Sequence, residues 1–258
     1  MDLIINKLTH NFAEEYRLYR HGYKHSAIYA YFAQYKCPVP CELALSDFKA
    51  ILTRNSKTAE GPCIAIYDNG SVFIGNMMNN KRNGSGCEIL ARDNNMLYMG
   101  EYVNDCKHGN GSIVELNSNE ILYSGEWLKG AKHGLGYWCK RKDGEDVAVY
   151  EGQFADGKMH GYGTLKWRNG DVYEGCFADG IRHGRGSMRF SKGDTYEGDF
   201  ARNLFHGEGK YCWRSGAVYE GRFERGRPVG SSVAGQNMAH RESCVSDVMS
   251  IGRTRPSL

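Results

Sequence analysis

The chain has 258 residues, of which 33 are glycine and only 5 are proline. This glycine content, about 13% against an average near 7%, excludes an ordinary helical bundle. Hydrophobic residues make up 41% of the chain and the formal net charge is only +3, which excludes global disorder. Thirty glycines lie between Gly61 and Gly230. We therefore predict an α-helical region over residues 1–58, a β region over 59–230 and a disordered tail over 231–258.

The first 58 residues predict two helices. Residues 2–36 carry aromatic side chains at helical spacing: Phe12, Tyr16, Tyr19 and Tyr23. A second helix is predicted from Glu42 to Leu52. Because so short a pair cannot bury both apolar faces, we expect it to cap the first repeat, to dimerise or to bind another protein. Residues 18–27 resemble the LisH motif, a dimerising helical element, which implies a homodimer through these helices; packing of the cap is the alternative reading of the tyrosines.

From residue 73 onward the sequence repeats. An aromatic residue, any residue and a glycine recur at spacings of 25, 25, 27, 23, 23 and 23 residues, starting at Phe73, Tyr98, Tyr123, Tyr150, Tyr173, Tyr196 and Tyr219. A second motif, His-Gly-x-Gly, begins ten residues after most of these aromatics, at His108, His133, His160, His183 and His206. A period of this length indicates a repeat architecture in which each unit is stabilised by its neighbours.

Each repeat is predicted to form a β-hairpin. In the segment 150–154, the tyrosine, glycine and phenylalanine point to one face of a strand and Glu151 points to the other. Asp156-Gly157 then supplies the positive φ that a tight hairpin turn needs. Successive hairpins should continue one antiparallel meander. The predicted fold class is therefore mainly β, an elongated single-layer sheet of about 10 Å per repeat and on the order of 70 Å in all, with a small helical N-terminal region.

The two motifs in register resemble the MORN repeat (membrane occupation and recognition nexus), and the resemblance covers residues 60–230. MORN proteins without a catalytic domain include cytoskeletal and ciliary assembly proteins, among them radial-spoke head proteins, and this chain is similar in having repeats with only small appendages. The resemblance implies a non-enzymatic scaffold that binds a cytoskeletal or ciliary protein. Its expected location is the cytoplasm and cytoskeleton, in particular the axoneme of a cilium or flagellum.

The candidate binding residues form two columns of the repeat. The aromatic column is either the packing layer of the sheet or partly a docking groove, and the sequence leaves both readings open. The candidate groove residues are Tyr98, Tyr123, Tyr150, Trp167, Tyr173, Phe190, Tyr196, Trp213 and Tyr219. On the opposite face, a column of glutamates is expected to meet solvent or a partner, with salt bridges along the strand edges as the alternative: Glu151, Glu174, Glu197 and Glu220.

Other functions are less well supported. Equivalent histidines or glutamates of adjacent repeats should lie about 10 Å apart, whereas two ligands of one zinc lie within about 4 Å of each other. We therefore predict no catalytic, metal or cofactor site. Residues 59–230 carry 22 Lys/Arg and 23 Asp/Glu, so a nucleic-acid partner is not expected. MORN repeats of junctophilins and plant phosphatidylinositol-phosphate kinases are linked to phospholipids, which implies a membrane–cytoskeleton tether binding anionic lipid as the alternative function.

Overall fold

The computed structural model describes residues 51–52, 60–66, 71–90, 96–115, 118, 120–230 and 233–234. The helix predicted over residues 2–36, nearly all of the second predicted helix and most of the predicted disordered tail lie outside these residues. The chain divides into two compact units, Met1–Asn94 and Asn95–Leu258, and each is described by itself. No helix within the described residues is long and apolar enough to cross a membrane.

The first unit contains four described strands: β1 (Ile51–Leu52), β2 (Gly61–Ile66), β3 (Val72–Met78) and β4 (Lys81–Ile89). The pairs β2–β3 and β3–β4 are antiparallel, whereas β1 is parallel to β2. The prediction of a helix up to Leu52 is therefore wrong for its last two residues. β3 pairs with only one edge of β2, and two extended residues satisfy backbone groups on the other edge.

The second unit is a meander of eleven long strands followed by two short ones. The long strands are β5 (Met96–Val103), β6 (Cys106–Glu115), β7 (Glu120–Leu128), β8 (Ala131–Lys142), β9 (Glu145–Ala155), β10 (Lys158–Trp167), β11 (Val172–Ala178), β12 (Ile181–Arg189), β13 (Thr195–Ala201), β14 (Leu204–Cys212) and β15 (Val218–Glu224). Each pairs antiparallel with the next. This confirms the prediction of a mainly β chain built as an antiparallel meander of hairpins.

The short strands β16 (Arg227–Pro228) and β17 (Val233–Ala234) both pair with β15. Val233 and Ala234 fall in the tail that the sequence predicts to be disordered, so that prediction is wrong for these two residues. They lie opposite Tyr219 and Val218, on one edge of β15. Within the described unit, none of the long strands pairs with this edge. Open backbone groups on such an edge are satisfied by any short extended segment that returns to it.

Two kinds of turn connect the strands of the second unit. At one edge, two-residue turns have positive φ at both positions, as at Asp156 (49°) and Gly157 (82°), which is the type I′ geometry that matches strand twist. At the other edge, the amide of Gly170 donates to the carbonyl of Trp167 at 2.9 Å, and Gly170 has a φ of +89°. Both kinds of turn were predicted from their Asp-Gly and Asn-Gly pairs, and the structure confirms them.

The glycines of the two motifs form one row across the second unit, which we call the glycine row. Neighbouring strands pair glycine with glycine throughout, along Gly100, Gly111, Gly125, Gly136, Gly152, Gly163, Gly175, Gly186, Gly198, Gly209 and Gly221. A Cβ at Gly163 would lie 2.6 Å from Cε2 of Tyr150 and therefore overlap the ring. The row is the floor on which the tyrosine rings lie, and the buried aromatic core covers this face.

Candidate functional site

The repeated tyrosines lie inside the aromatic core. Tyr123, Tyr150 and Tyr173 are 0% exposed. Each hydroxyl donates a hydrogen bond of 2.8 Å to the backbone carbonyl of the residue three positions later, as Tyr150 does to Gln153. Burial raises the pKa of these phenols well above its ordinary value, so they stay protonated donors. The tyrosine thus fills the space above the glycine row and satisfies a carbonyl of its own strand.

Aromatic rings also join each repeat to the next. Tyr150 makes edge-to-face contacts with Phe154 of its own strand and Phe177 of the following repeat, with both pairs of ring centroids 5.1 Å apart. The same alternation recurs along the unit, for example from Tyr173 to Phe177 and Phe200. Such contacts contribute about 0.5–1.5 kcal/mol each beyond area burial. The stripe predicted from the sequence is therefore a continuous packing layer between repeats.

Buried cations extend this packing layer in some repeats. The guanidinium of Arg182 lies 5.5–5.6 Å from the ring centroids of Trp167, Tyr173 and Phe200. It donates a hydrogen bond to the backbone carbonyl of Asn203 at 2.8 Å. Burial lowers its pKa to about 10, and lowers the pKa of Lys132 at the equivalent position to about 8. Sequence reasoning missed this position, which directly precedes the histidine of His-Gly-x-Gly.

The His-Gly-x-Gly motif forms a β-bulge. Between β9 and β10 the register shifts from Met159 to Gly163, and Gly161 in the bulge has a φ of +59°. The side-chain oxygen of Gln153 accepts a hydrogen bond from the amide of Tyr162 at 2.9 Å, which satisfies a donor that the bulge removes from the ladder. Glu101 and Glu126 do the same in earlier repeats. The signal that could have revealed this role is an acidic or amide residue three positions after the tyrosine.

The structure places all nine candidate groove residues on the aromatic side of the repeats but exposes few of them. The six tyrosines and Trp213 are buried, whereas Trp167 and Phe190 are half-buried. Trp167 and Phe190 begin the second kind of turn, at one edge of the sheet. Any partner contact through this column would fall on these two side chains, and that contact stays a prediction.

The four candidate glutamates lie exposed on the opposite face, which we call the polar face. Glu151 and Glu174 both pair in register with Thr164 of the strand between them, and Ser187 separates Glu174 from Glu197 in the same way. Two strand spacings separate such residues by about 10 Å. Lys210 lies 3.6 Å from Glu220 and so forms an ion pair with it. The described residues contain no group of three or more side chains placed to hold a metal ion.

Comparison with known proteins agrees with the repeat structure. The family described as the MORN repeat matches seven segments, 73–92, 98–114, 123–139, 150–172, 173–195, 196–218 and 219–231. No curated protein matches the sequence significantly. Among matching solved structures is the SAS-4 (dCPAP) TCP domain in complex with a proline-rich motif of Ana2 (dSTIL) from Drosophila melanogaster, with 12% identity, a TM-score of 0.26, and 66% of this chain and 86% of that chain covered. The seven matches span more than half of the sequence, and the chain belongs to the MORN repeat family.

Proposed function

We propose that the chain is a non-enzymatic scaffold that binds a helical or extended segment of a partner protein along its MORN repeats. MORN is a non-catalytic type of repeat. The observation that carries the proposal is the difference between the two faces of the sheet. Tyrosine, phenylalanine and glycine pack together on one face, whereas the polar face presents exposed side chains at a constant spacing. Stacked repeats with a regular exposed surface are suited to an extended partner.

One exposed position differs in every repeat, although the buried tyrosine and the glycine row recur. The third residue of His-Gly-x-Gly, which we call the x position, is Asn110, Leu135, Tyr162, Arg185 and Glu208 in successive repeats, and all five are exposed. The same backbone therefore displays a different chemical group every repeat. Such an arrangement can encode the choice of partner without altering the fold.

The proposed location is a ciliary or flagellar axoneme or another cytoskeletal structure, with a homodimer through the N-terminal region. Its support is the resemblance to ciliary and cytoskeletal MORN proteins. Proximity labelling with the full chain in ciliated and non-ciliated cells tests it. We expect microtubule-associated or ciliary proteins to be enriched in the ciliated cells. A partner list without such proteins would contradict the location, and the absence of any stable partner in both cell types would contradict the scaffold itself.

Binding of anionic phospholipid is the alternative function. It is favoured by Lys192 and Arg214, which lie exposed at the tips of successive turns, while Arg168 at the preceding tip is paired with Glu145. Each basic residue near an anionic surface contributes about 1 kcal/mol, and stable binding takes a cluster of about four to eight. Flotation with phosphatidylserine vesicles at physiological salt separates the two functions. Robust flotation that is lost in high salt would favour the tether over the scaffold.

A further inference from the structure

Two large apolar side chains lie exposed in the middle of the polar face. Leu135 on β8 and Tyr162 on β10 are 63% and 56% exposed. Both occupy the x position of their repeats, and Gln153 of β9 lies between them, opposite Leu135 and bonded to the amide of Tyr162. Two strand spacings place them about 10 Å apart. Neither contributes to the aromatic core, which lies on the other face, so the packing of the sheet gives no reason for their size.

Carboxylates border this apolar pair. Glu151 lies exposed on β9, between the two strands that carry the pair, and its carboxylate makes no hydrogen bond or ion pair with another described residue. Glu174 on β11 accepts a hydrogen bond of 2.9 Å from the hydroxyl of Tyr162. Glu126, on β7, accepts from the amide of Leu135 at 2.8 Å. Three carboxylates thus border the pair, and a cationic ligand would complement them.

The backbone around this patch limits what can bind there. Strands β8, β9, β10 and β11 are each paired on the edges they share, so their amides and carbonyls are used within the sheet. An extended peptide lying on this face would find no ladder to join, because strand addition needs a free edge. A helix satisfies its own backbone groups and needs only side-chain contacts. The position of the patch therefore favours a helical ligand.

We propose that the patch formed by Leu135, Tyr162, Glu151 and Glu174 docks a basic amphipathic helix of a partner protein, lying across the strands. Seven residues of helix rise about 10.5 Å, which matches the two-strand spacing of the carboxylates. Lysine or arginine at every seventh position can therefore meet Glu151 and Glu174 in turn, while apolar residues between them cover Leu135 and Tyr162. This inference rests on the proposed scaffold function and names the chemistry of its partner.

A synthetic helix tests the proposal directly on the full chain. The probe is a fluorescent peptide of about 20 residues, with lysine at every seventh position, leucine three and four positions after each lysine and glutamine elsewhere, and its control is a scrambled peptide of the same composition. We expect anisotropy titrations to show binding of the first peptide and at least about tenfold weaker binding of the second. Because the contact pairs exposed charges, affinity should fall as salt rises.

Variants of the chain locate the contact. The double change Glu151→Gln and Glu174→Gln should weaken binding about tenfold, and Leu135→Ser with Tyr162→Ser should weaken it by a similar factor. Glu224→Gln, the same carboxylate-to-amide change on exposed β15, should leave it unaltered. All three proteins should keep the wild-type circular dichroism spectrum, since none of the changed residues is buried.

Two outcomes would overturn the proposal: equal affinity for both peptides, or affinity unaffected by the four substitutions. The scaffold function is judged separately by its partner list from cells. If the chain has cellular partners but does not bind the peptide, this inference is wrong and the scaffold function stands. If the chain binds the peptide but has no cellular partner, the scaffold function is wrong.

Discussion

The repeat that begins at Tyr123 is 27 residues long, whereas those beginning at Tyr150, Tyr173 and Tyr196 are 23 residues long. Both kinds nevertheless pair glycine with glycine, as Gly136 with Gly152 in the long repeat and Gly163 with Gly175 in a short one. The extra residues lengthen the hairpin of β8 and β9 at the edge of the sheet, where the register shifts after Lys140. The packed glycine row therefore sets the register of the strands, and changes in repeat length are accommodated at the turn edge.

The two kinds of repeat stabilise this edge differently. In the short repeats, Asp171 and Asp194 each accept a hydrogen bond of 2.9 Å from a backbone amide of the next turn, at Ser191 and Arg214. In the long repeat, Arg141 instead lies 3.4 Å from Asp146 and 3.5 Å from Glu120. Amide-to-carboxylate bonds fix the turns at one distance from each other, whereas long ion-paired side chains tolerate a change in loop length. The contacts that hold this edge therefore differ between the long and the short repeats.

The largest expected effect is the removal of a buried tyrosine from either kind of repeat. Tyr173→Ala and Tyr123→Ala should each cost about 3–5 kcal/mol of unfolding free energy, because each removes a fully buried ring from between two repeats. Chemical denaturation measures this cost, and Trp167→Ala, at a half-buried site, is the milder control. If Tyr173→Ala folded normally and lost only partner binding, the column would be a docking groove instead of a packing layer.

Adding a methyl group to the glycine row should give the next largest loss of unfolding free energy. The loss should differ between the long and the short repeats. A Cβ at Gly163 would lie 2.6 Å from Cε2 of Tyr150, whereas a Cβ at Gly136 would lie 3.0 Å from Cε2 of Tyr123. We expect Gly163→Ala to cost about 3 kcal/mol and Gly136→Ala about 1 kcal/mol. Thermal unfolding of the two variants compares them. Equal costs would mean that the tyrosines of long and short repeats lie equally close to the row.

Removing a carboxylate at the turn edge should have a smaller effect, and this effect should differ between short and long repeats. Asp194 accepts hydrogen bonds from the amide of Arg214 and from the hydroxyl of Tyr211 at 2.8 Å. Asp194→Ala should cost about 1–3 kcal/mol because two donors lose a charged acceptor. Asp146→Ala in the long repeat should cost less than about 1 kcal/mol, since the Asp146 side chain is 54% exposed and lies 3.4 Å from Arg141. Hydrogen exchange of the turn amides measures the effect of each substitution. Equal protection of these amides in the two variants would contradict the expected difference between short and long repeats.

A further expected effect is a pH dependence at Lys132. Burial lowers the pKa of this amine to about 8, below the ordinary 10.5 that it regains on unfolding. Between these values the unfolded chain binds more protons, so the free energy of unfolding should rise as pH increases from 8 to 10.5. Lys132→Met, which places there the residue found at the equivalent position 159, should remove that part of the rise. The difference between the urea midpoints of wild type and variant should therefore shrink with pH; a constant difference would show that Lys132 titrates normally.

The repeat, its hairpins and its turns could all be predicted from the sequence. Tyr150, Gly152 and Phe154 alternate at the strand period, and Asp156-Gly157 supplies the positive φ of a tight turn, so these features depend on local geometry. The exposure of Glu151 and its equivalents followed from the same alternation. The helical prediction for Ile51 and Leu52 failed because an unpaired edge of β2, which no local pattern reveals, was available to them.

Which side chains are buried by packing depends on contacts between repeats, and no local pattern reveals these contacts. A tyrosine that recurs every repeat is compatible with a groove or with a core, and the choice depends on Phe177 arriving from the next repeat to cover Tyr150. The burial of Arg182 between three rings and the exposure of Leu135 and Tyr162 likewise depend on contacts between strands. Local periodicity sets which face of a strand a residue occupies, but burial is set by what the neighbouring repeats place over that face.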